Sequence, residues 1–226
     1  MTKEGAVLFD FGGTLDADGV PWKERMRSVC AAEGIAVEPD RFDRAFYAAD
    51  DALVGAVPVT LTFRETVDRL ADGLVRELGV RAPGIAGRIA ARFRDDALAV
   101  LERNARVLDA LAARYRLGVV SNFYGNLGAV CDDAGISEYL DVIVDSAQVG
   151  CGKPDPRIFH AALDKLGLSP AGATFVGDSA PRDMAGAKAV GMPHIWLVPA
   201  ASAPAAVCCP GDRTVSSLSA LEDLLE

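Results

Sequence analysis

Apolar runs without polar alternation recur along the chain, and each reads as a strand buried on both faces of a parallel sheet. The first is residues 6–9, Ala-Val-Leu-Phe, stopped by Asp10 and then broken by Gly12 and Gly13. Comparable runs fall at 117–121, 142–144, 174–176 and 194–198. Between them the apolar spacing turns helical, predicting helices over 107–114, 127–134, 156–166 and 183–190, with a last one over 218–225. Strands alternating with helices predict an α/β fold with a doubly wound parallel sheet.

One stretch departs from that alternation. Between 16 and 104 the only strand-like run is the short 57–61, and four helical patterns fill the rest. Pro21 opens a helix over 22–33, with Met26, Val29 and Cys30 at helical spacing and Gly34 closing it. Pro39 and Asp40 begin a second that runs to about 53, where Phe42, Ala45, Phe46 and Ala49 form one apolar face. Thr62 followed three residues later by Glu65 is the signature of a capping box and starts a third over 63–78; a fourth spans 85–101. The pattern predicts an all-helical domain at 16–104, inserted just after the first strand. Links fall at 16–20 and 102–105, and the α/β core comprises 1–15 and 105–226. Residues 199–210, rich in Ala, Pro and Cys, read as an irregular loop.

Composition narrows the partners. A chain of 226 residues, 50% hydrophobic, can bury one good core plus a smaller insert. Its net charge of −9 argues against nucleic acid or an anionic membrane surface as partner, so an anionic substrate needs a local positive site. Lys3 and Glu4 precede an apolar run that Asp10 interrupts too early for a secretory signal, and 186–209 carries Lys188, His194 and prolines, unlike a membrane span. The expectation is a soluble, cytoplasmic protein. Cys30, Cys131, Cys151, Cys208 and Cys209 lack metal-ligand spacing and read as reduced packing residues. His160 and His194 read as packing or surface residues, and substrate identity and oligomeric state are written in no motif.

Candidate chemistry stands at the strand ends. Asp10 closes the first strand, Ser121-Asn122 closes the run at 117–121, Gly152-Lys153-Pro154-Asp155-Pro156 follows the next, and Gly177-Asp178-Ser179 with Asp183 follows 174–176. A parallel sheet gathers all four groups at one edge, where open α/β sheets bind ligands. In these four motifs, in this order, the sequence resembles the haloacid dehalogenase-like hydrolase superfamily, mostly phosphatases, over about 6–198. The resemblance implies a magnesium-dependent hydrolase of a small phosphorylated metabolite, with the helical insert as a cap that closes over the site. Asp10 is then the nucleophile, forming an aspartyl-phosphate, and also a metal ligand. Gly12 is a ligand through its carbonyl; Asp178 is a carboxylate ligand; Asp183 acts on the metal directly or from behind its ligands. Thr14 supports the turn and the phosphate site, Ser121 and Asn122 hold phosphate, and Lys153 stabilises charge beside Asp10.

The sequence departs from the family pattern at one place. Two residues after the nucleophile the family usually carries a second Asp, which protonates the leaving group; here that residue is Gly12. General acid catalysis contributes on the order of 10²- to 10⁴-fold. Its loss leaves several readings open: a slow enzyme, substrates with good leaving groups such as acyl phosphates, or a substitute acid at Asp16, Asp18 or in the cap. The rival from another class is a non-catalytic phosphometabolite-binding or regulatory protein. Within the superfamily, the intact Gly177-Asp178 argues against a haloacid dehalogenase. A phosphonate hydrolase would need Lys23, the one lysine of the insert.

Overall fold

The computed structural model describes residues 3, 5–200 and 213–225. Strand β1 (Ala6–Phe9) leads through an irregular turn, Phe11–Leu15, into four helices: α1 (Trp22–Ala32), α2 (Pro39–Asp51), α3 (Phe63–Glu77) and α4 (Ile85–Ala112). Then come β2 (Arg116–Ser121), α5 (Leu127–Asp133), β3 (Val142–Asp145) and the one-turn α6 (Ser146–Val149). They are followed by α7 (Pro156–Leu166), β4 (Ala173–Gly177), α8 (Ala185–Ala189), β5 (His194–Leu197), β6 (Arg213–Val215) and α9 (Leu221–Leu224).

The strands form one six-stranded sheet in the order β3-β2-β1-β4-β5-β6, and every pairing is parallel. This is the doubly wound α/β architecture that the apolar runs predict. Register matters most at the centre: Phe9 stands level with Val119 on one side and Val176 on the other. The chain therefore leaves three neighbouring strands at one edge. The strand order also reverses there, between β1 and β4, which is where such sheets open a ligand crevice.

Both faces of the sheet are covered. Val7 and Phe9 pack with Leu108 and Leu111 of α4 and with Leu127 and Val130 of α5, whereas Ala6 and Leu8 pack with Ile158 and Phe159 of α7 and Ala187 of α8. Burying a side chain of this kind stabilises by roughly 1.5–3 kcal/mol, so a strand covered on both faces has no use for polar alternation. The helices after β1 continue the first of these clusters. Phe11, in the turn after β1, meets Phe63 of α3 edge-on with centroids 6.1 Å apart, and Phe123 after β2 at 5.7 Å. The capping box at Thr62 is formed: its hydroxyl accepts from the Glu65 N–H, and the Glu65 carboxylate accepts from the Thr62 N–H.

The break expected at 102–105 is absent. Instead α4 runs unbroken for 28 residues, about 42 Å at the α-helical rise, so the four-helix stretch leads back to the sheet through a helix. Glu102, Arg103 and Asn104 read as a polar link, yet Ala97, Leu101, Asn104, Leu108 and Leu111 share one buried face. Asn104 keeps its place there because its amide donates to the Leu15 carbonyl at 2.9 Å, which satisfies a polar group that burial would otherwise penalise. The strand at 213–215 has no apolar run to mark it in the sequence. The loop expected at 199–210 lies almost entirely outside the described residues.

Among the described residues, no helix is long and apolar enough to cross a membrane. Cys30 and Cys131 are free and buried, and burial pushes their thiols up to about 11 and about 12, in keeping with packing roles. Cys151 is free and half-buried.

Candidate active site

Asp10 sits one residue beyond β1, with its N–H donating to the Val176 carbonyl at 3.0 Å. That bond continues the sheet ladder and fixes the backbone from which the carboxylate projects. Its Oδ1 receives two contacts, the Ser121 hydroxyl at 2.7 Å and the Lys153 ammonium at 2.7 Å. The same ammonium reaches Asp183 Oδ1 at 2.7 Å. Asp10, Ser121, Lys153 and Asp183 are all buried. Four segments far apart in sequence thus meet at the sheet edge that the strand ends define.

Further contacts hold these groups still. Thr14, buried, donates its hydroxyl to Asp178 Oδ1 at 3.1 Å, and the Trp196 indole donates to the Asp178 carbonyl at 2.8 Å. Asp183 Oδ2 accepts from the Ser179 N–H at 2.9 Å. Asn122, expected at the phosphate, turns its amide to Lys153: Nδ2 donates to the Lys153 carbonyl at 3.0 Å, and Oδ1 accepts from the Lys153 N–H at 2.6 Å. Its side chain therefore aims the lysine. Asp155 accepts from the Arg157 N–H at 2.9 Å and caps α7.

The turn after Asp10 depends on two glycines. Gly13 has φ +92°, and a Cβ there would lie 2.6 Å from Asp178 Oδ2; only glycine takes this conformation and leaves the carboxylate its room. A Cβ at Gly12 would meet the Trp22 indole at 3.1 Å. Trp22 is held there because its Nε1 donates to Asp16 Oδ2 at 2.7 Å. Asp16 is fully buried and also accepts from the Gly13 N–H and from Arg25, each at 2.7 Å. Asp16, at the start of the expected link, is the pin joining the loop after β1 to helix α1.

A side chain at position 12 would press on the Trp22 indole. Gly12→Asp is expected to destabilise the fold by about 1–3 kcal/mol through overpacking, and to leave turnover no faster. Urea denaturation and phosphate-release assays on the variant check this; faster turnover at unchanged stability would show that Trp22 moves aside.

Charge is unevenly balanced. Asp10, Asp178 and Asp183 each offer an oxygen within 4.8 Å of the others, and Lys153 is the cation in contact with two of them. Burial, then repulsion from Asp10 and Asp183, pushes the Asp178 carboxyl up to about 8. Burial likewise raises Asp183, against the pull of Lys153. Burial alone would lower Lys153, but Asp10 and Asp183 outweigh it and hold its ammonium above the ordinary lysine range. Three carboxyl groups within reach of one another make a donor set of hard oxygens that carries surplus negative charge once all are deprotonated, which fits a divalent ion such as magnesium.

A cavity of about 320 Å³ opens beside Asp10, lined from the core by Gly12, Ser121, Asn122 and Lys153 and from the helices by Trp22, Lys23, Tyr47 and Asp50. Trp22 serves both as core and as cavity wall. Asp50, Tyr124 and Arg182 also line it. None of the three carries a motif, and their place depends on how α2 and the loops after β2 and β4 converge.

The sequence profile of the haloacid dehalogenase-like hydrolase family matches residues 5–191. The chain belongs to that family. Among curated relatives, the haloacid dehalogenase-like hydrolase domain-containing protein 3 of Bos taurus is 46% identical over 83 residues, 37% of this chain and 33% of that protein. The chain's match thus spans about a third of that relative's length. A glyceraldehyde 3-phosphate phosphatase of Methanopyrus kandleri is 26% identical over 200 residues, covering 83% of this chain and 81% of its own. Among solved structures, the HAD-hydrolase YfnB of Bacillus subtilis bound to magnesium superposes with a TM-score of 0.61 at 18% identity, over the whole of both chains. At that identity the likeness shows the haloacid dehalogenase-like fold alone.

Proposed function

We propose that this hydrolase cleaves phosphate monoesters of small metabolites through an aspartyl-phosphate on Asp10. The observation that carries this reading is the asymmetry of the Asp10 carboxylate. Ser121 and Lys153 both hold Oδ1, so Oδ2 is left for in-line attack on phosphorus. In the first step the Asp10 Oδ2–P bond forms as the ester P–O bond breaks; in the second, water attacks phosphorus and returns the carboxylate. Lys153 offsets charge on the phosphoryl oxygens, and the Ser121 hydroxyl fixes the nucleophile's orientation. Asn122 keeps Lys153 aimed, and Thr14 steadies Asp178. Magnesium held by Asp10, Asp178 and the Gly12 carbonyl, with Asp183 at or behind the ion, would offset negative charge as the phosphoryl group moves.

Residues 16–104 would act as the cap of the site, walling the cavity opposite Asp10 and excluding water. The Methanopyrus kandleri relative, a phosphatase by name and similar over most of the chain, supports the substrate class. Gly12 favours a second reading, a phosphometabolite-binding protein without turnover.

The test is phosphate release from a panel of phosphomonoesters and acyl phosphates, with magnesium and with a chelator. Release that needs magnesium is the expected result. Binding of phosphate and magnesium without release from any substrate would establish the second reading, and halide release from a 2-haloacid would move the chain to dehalogenation.

A further inference from the structure

Position 12 has no carboxyl, so the leaving oxygen must take its proton from another group. The carboxyls near the cavity outside the aspartate cluster can be sorted by what already holds them. Asp16 is ion-paired with Arg25 at 2.7 Å and carries two further hydrogen bonds. Asp18 is paired with Arg103 at 2.7 Å. Glu24, which lines the cavity, is paired with Arg27 and lies 3.8 Å from Lys23. An ion-paired carboxylate has no proton to give.

Asp50 is different. It lies at the end of α2, half-buried, and lines the same cavity as Asp10. Its Oδ1 accepts from a neutral donor, the Tyr124 phenol on the loop after β2, and no hydrogen bond is made to its Oδ2 among the described residues. The groups facing it are Tyr47 and Asp51 on its own helix, Tyr124 after β2 and Arg182 after β4. Burial raises its carboxyl above the ordinary aspartate range, more than Tyr124 and Arg182 lower it. In-line attack by Asp10 sends the departing oxygen away from the nucleophile, and Asp50 lines the cavity that opens beside Asp10.

The geometry points to Asp50 as the proton donor to the leaving group, with Tyr124 positioning its carboxyl. This assignment rests on the phosphatase reading above. In the first step the P–O bond to the leaving group breaks, Asp10 takes the phosphoryl group, and the leaving oxygen takes the Asp50 proton, giving an alcohol and the Asp50 carboxylate. In the second, water adds to phosphorus, its proton returns to Asp50, and Asp10 is released with inorganic phosphate. Atoms and charge balance with no further reactant, and one cap residue supplies what position 12 lacks.

The test compares wild type, Asp10→Asn and Asp50→Asn on an alkyl phosphate, whose leaving group needs a proton, and on p-nitrophenyl phosphate, whose leaving group does not. Asp50→Asn is expected to lower kcat on the alkyl phosphate by about 10²- to 10⁴-fold and on p-nitrophenyl phosphate by less than about tenfold. The alkaline fall in wild-type rate on the alkyl phosphate should vanish in the variant. Equal losses on both substrates would make Asp50 structural, and no loss on either would leave it idle; each result overturns the assignment. Failure of the underlying reading looks different: wild type would release phosphate from neither substrate, or Asp10→Asn would stay active, and the assignment would fall with it.

Discussion

Asp10→Asn is expected to lower phosphate release by on the order of 10⁴-fold or more, the scale of losing a covalent nucleophile, without loss of folding stability. The two effects separate because of what Asp10 does in the fold. An amide oxygen at Oδ1 still accepts from Ser121 and Lys153, which approach that atom at 2.7 Å each. The N–H ladder bond to Val176 involves only backbone. The substitution also removes one of three crowded acidic groups, so in a chelator the thermal midpoint should stay level or rise. Phosphate-release kinetics and thermal denaturation on the same preparation check both halves. Retained turnover, with mass spectrometry excluding reversion of Asn to Asp, would end the covalent mechanism. A midpoint several degrees lower would mean instead that Asp10 holds the sheet edge together.

The strand-end groups were legible because their placement needs only the apolar runs and parallel pairing. Once Phe9 is level with Val119 and Val176, Asp10, Ser121 and Asp178 must emerge at one edge. What was not legible are groups whose role is set by a second element arriving from far away. Tyr124 and Asp50 meet across 74 residues, and nothing local in either segment marks them. The burial of Asp16 has no sequence signal, because a buried carboxylate is improbable until Trp22 and Arg25 are seen to satisfy it. Nothing in the sequence marks Arg25, yet its guanidinium lies 4.2 Å from the centre of the Phe93 ring, where stacking and the Asp16 pair hold it.

The same limit governs the fold. Residues 102–105 look like a link because three polar residues follow one another, and only the Leu15 carbonyl, delivered by the turn after β1, makes Asn104 a buried residue of a continuous helix. Arg213–Val215 is three residues long with two of them exposed. It becomes a strand by pairing with β5, a long-range contact that no short window carries. Asn122 shows the effect inside the site: its strand-end position is readable, but the direction of its amide depends on the Lys153 backbone.

Lys153→Met should be strongly destabilising, because it removes the cation from between two buried carboxylates while keeping the length of the aliphatic stem. Lys153 bridges Asp10 and Asp183 at 2.7 Å each and is nearly inaccessible to water. Breaking a buried pair by deleting one partner costs about 3–5 kcal/mol, since the charges left behind are uncompensated. In a chelator the variant's denaturation midpoint should fall accordingly. Saturating magnesium should restore much of it, because an ion that binds only the folded state shifts the equilibrium by mass action and now meets a more negative site. Turnover should stay low even then, by about 10²- to 10³-fold, as expected when a fixed charge on the reacting group is lost. Recovery of stability without recovery of rate would separate two tasks of one ammonium, balancing the aspartates and stabilising the phosphoryl group. Full recovery of both would reduce Lys153 to a structural counter-charge, and charge stabilisation would have to be sought at Arg182 or Lys23 on the cavity wall.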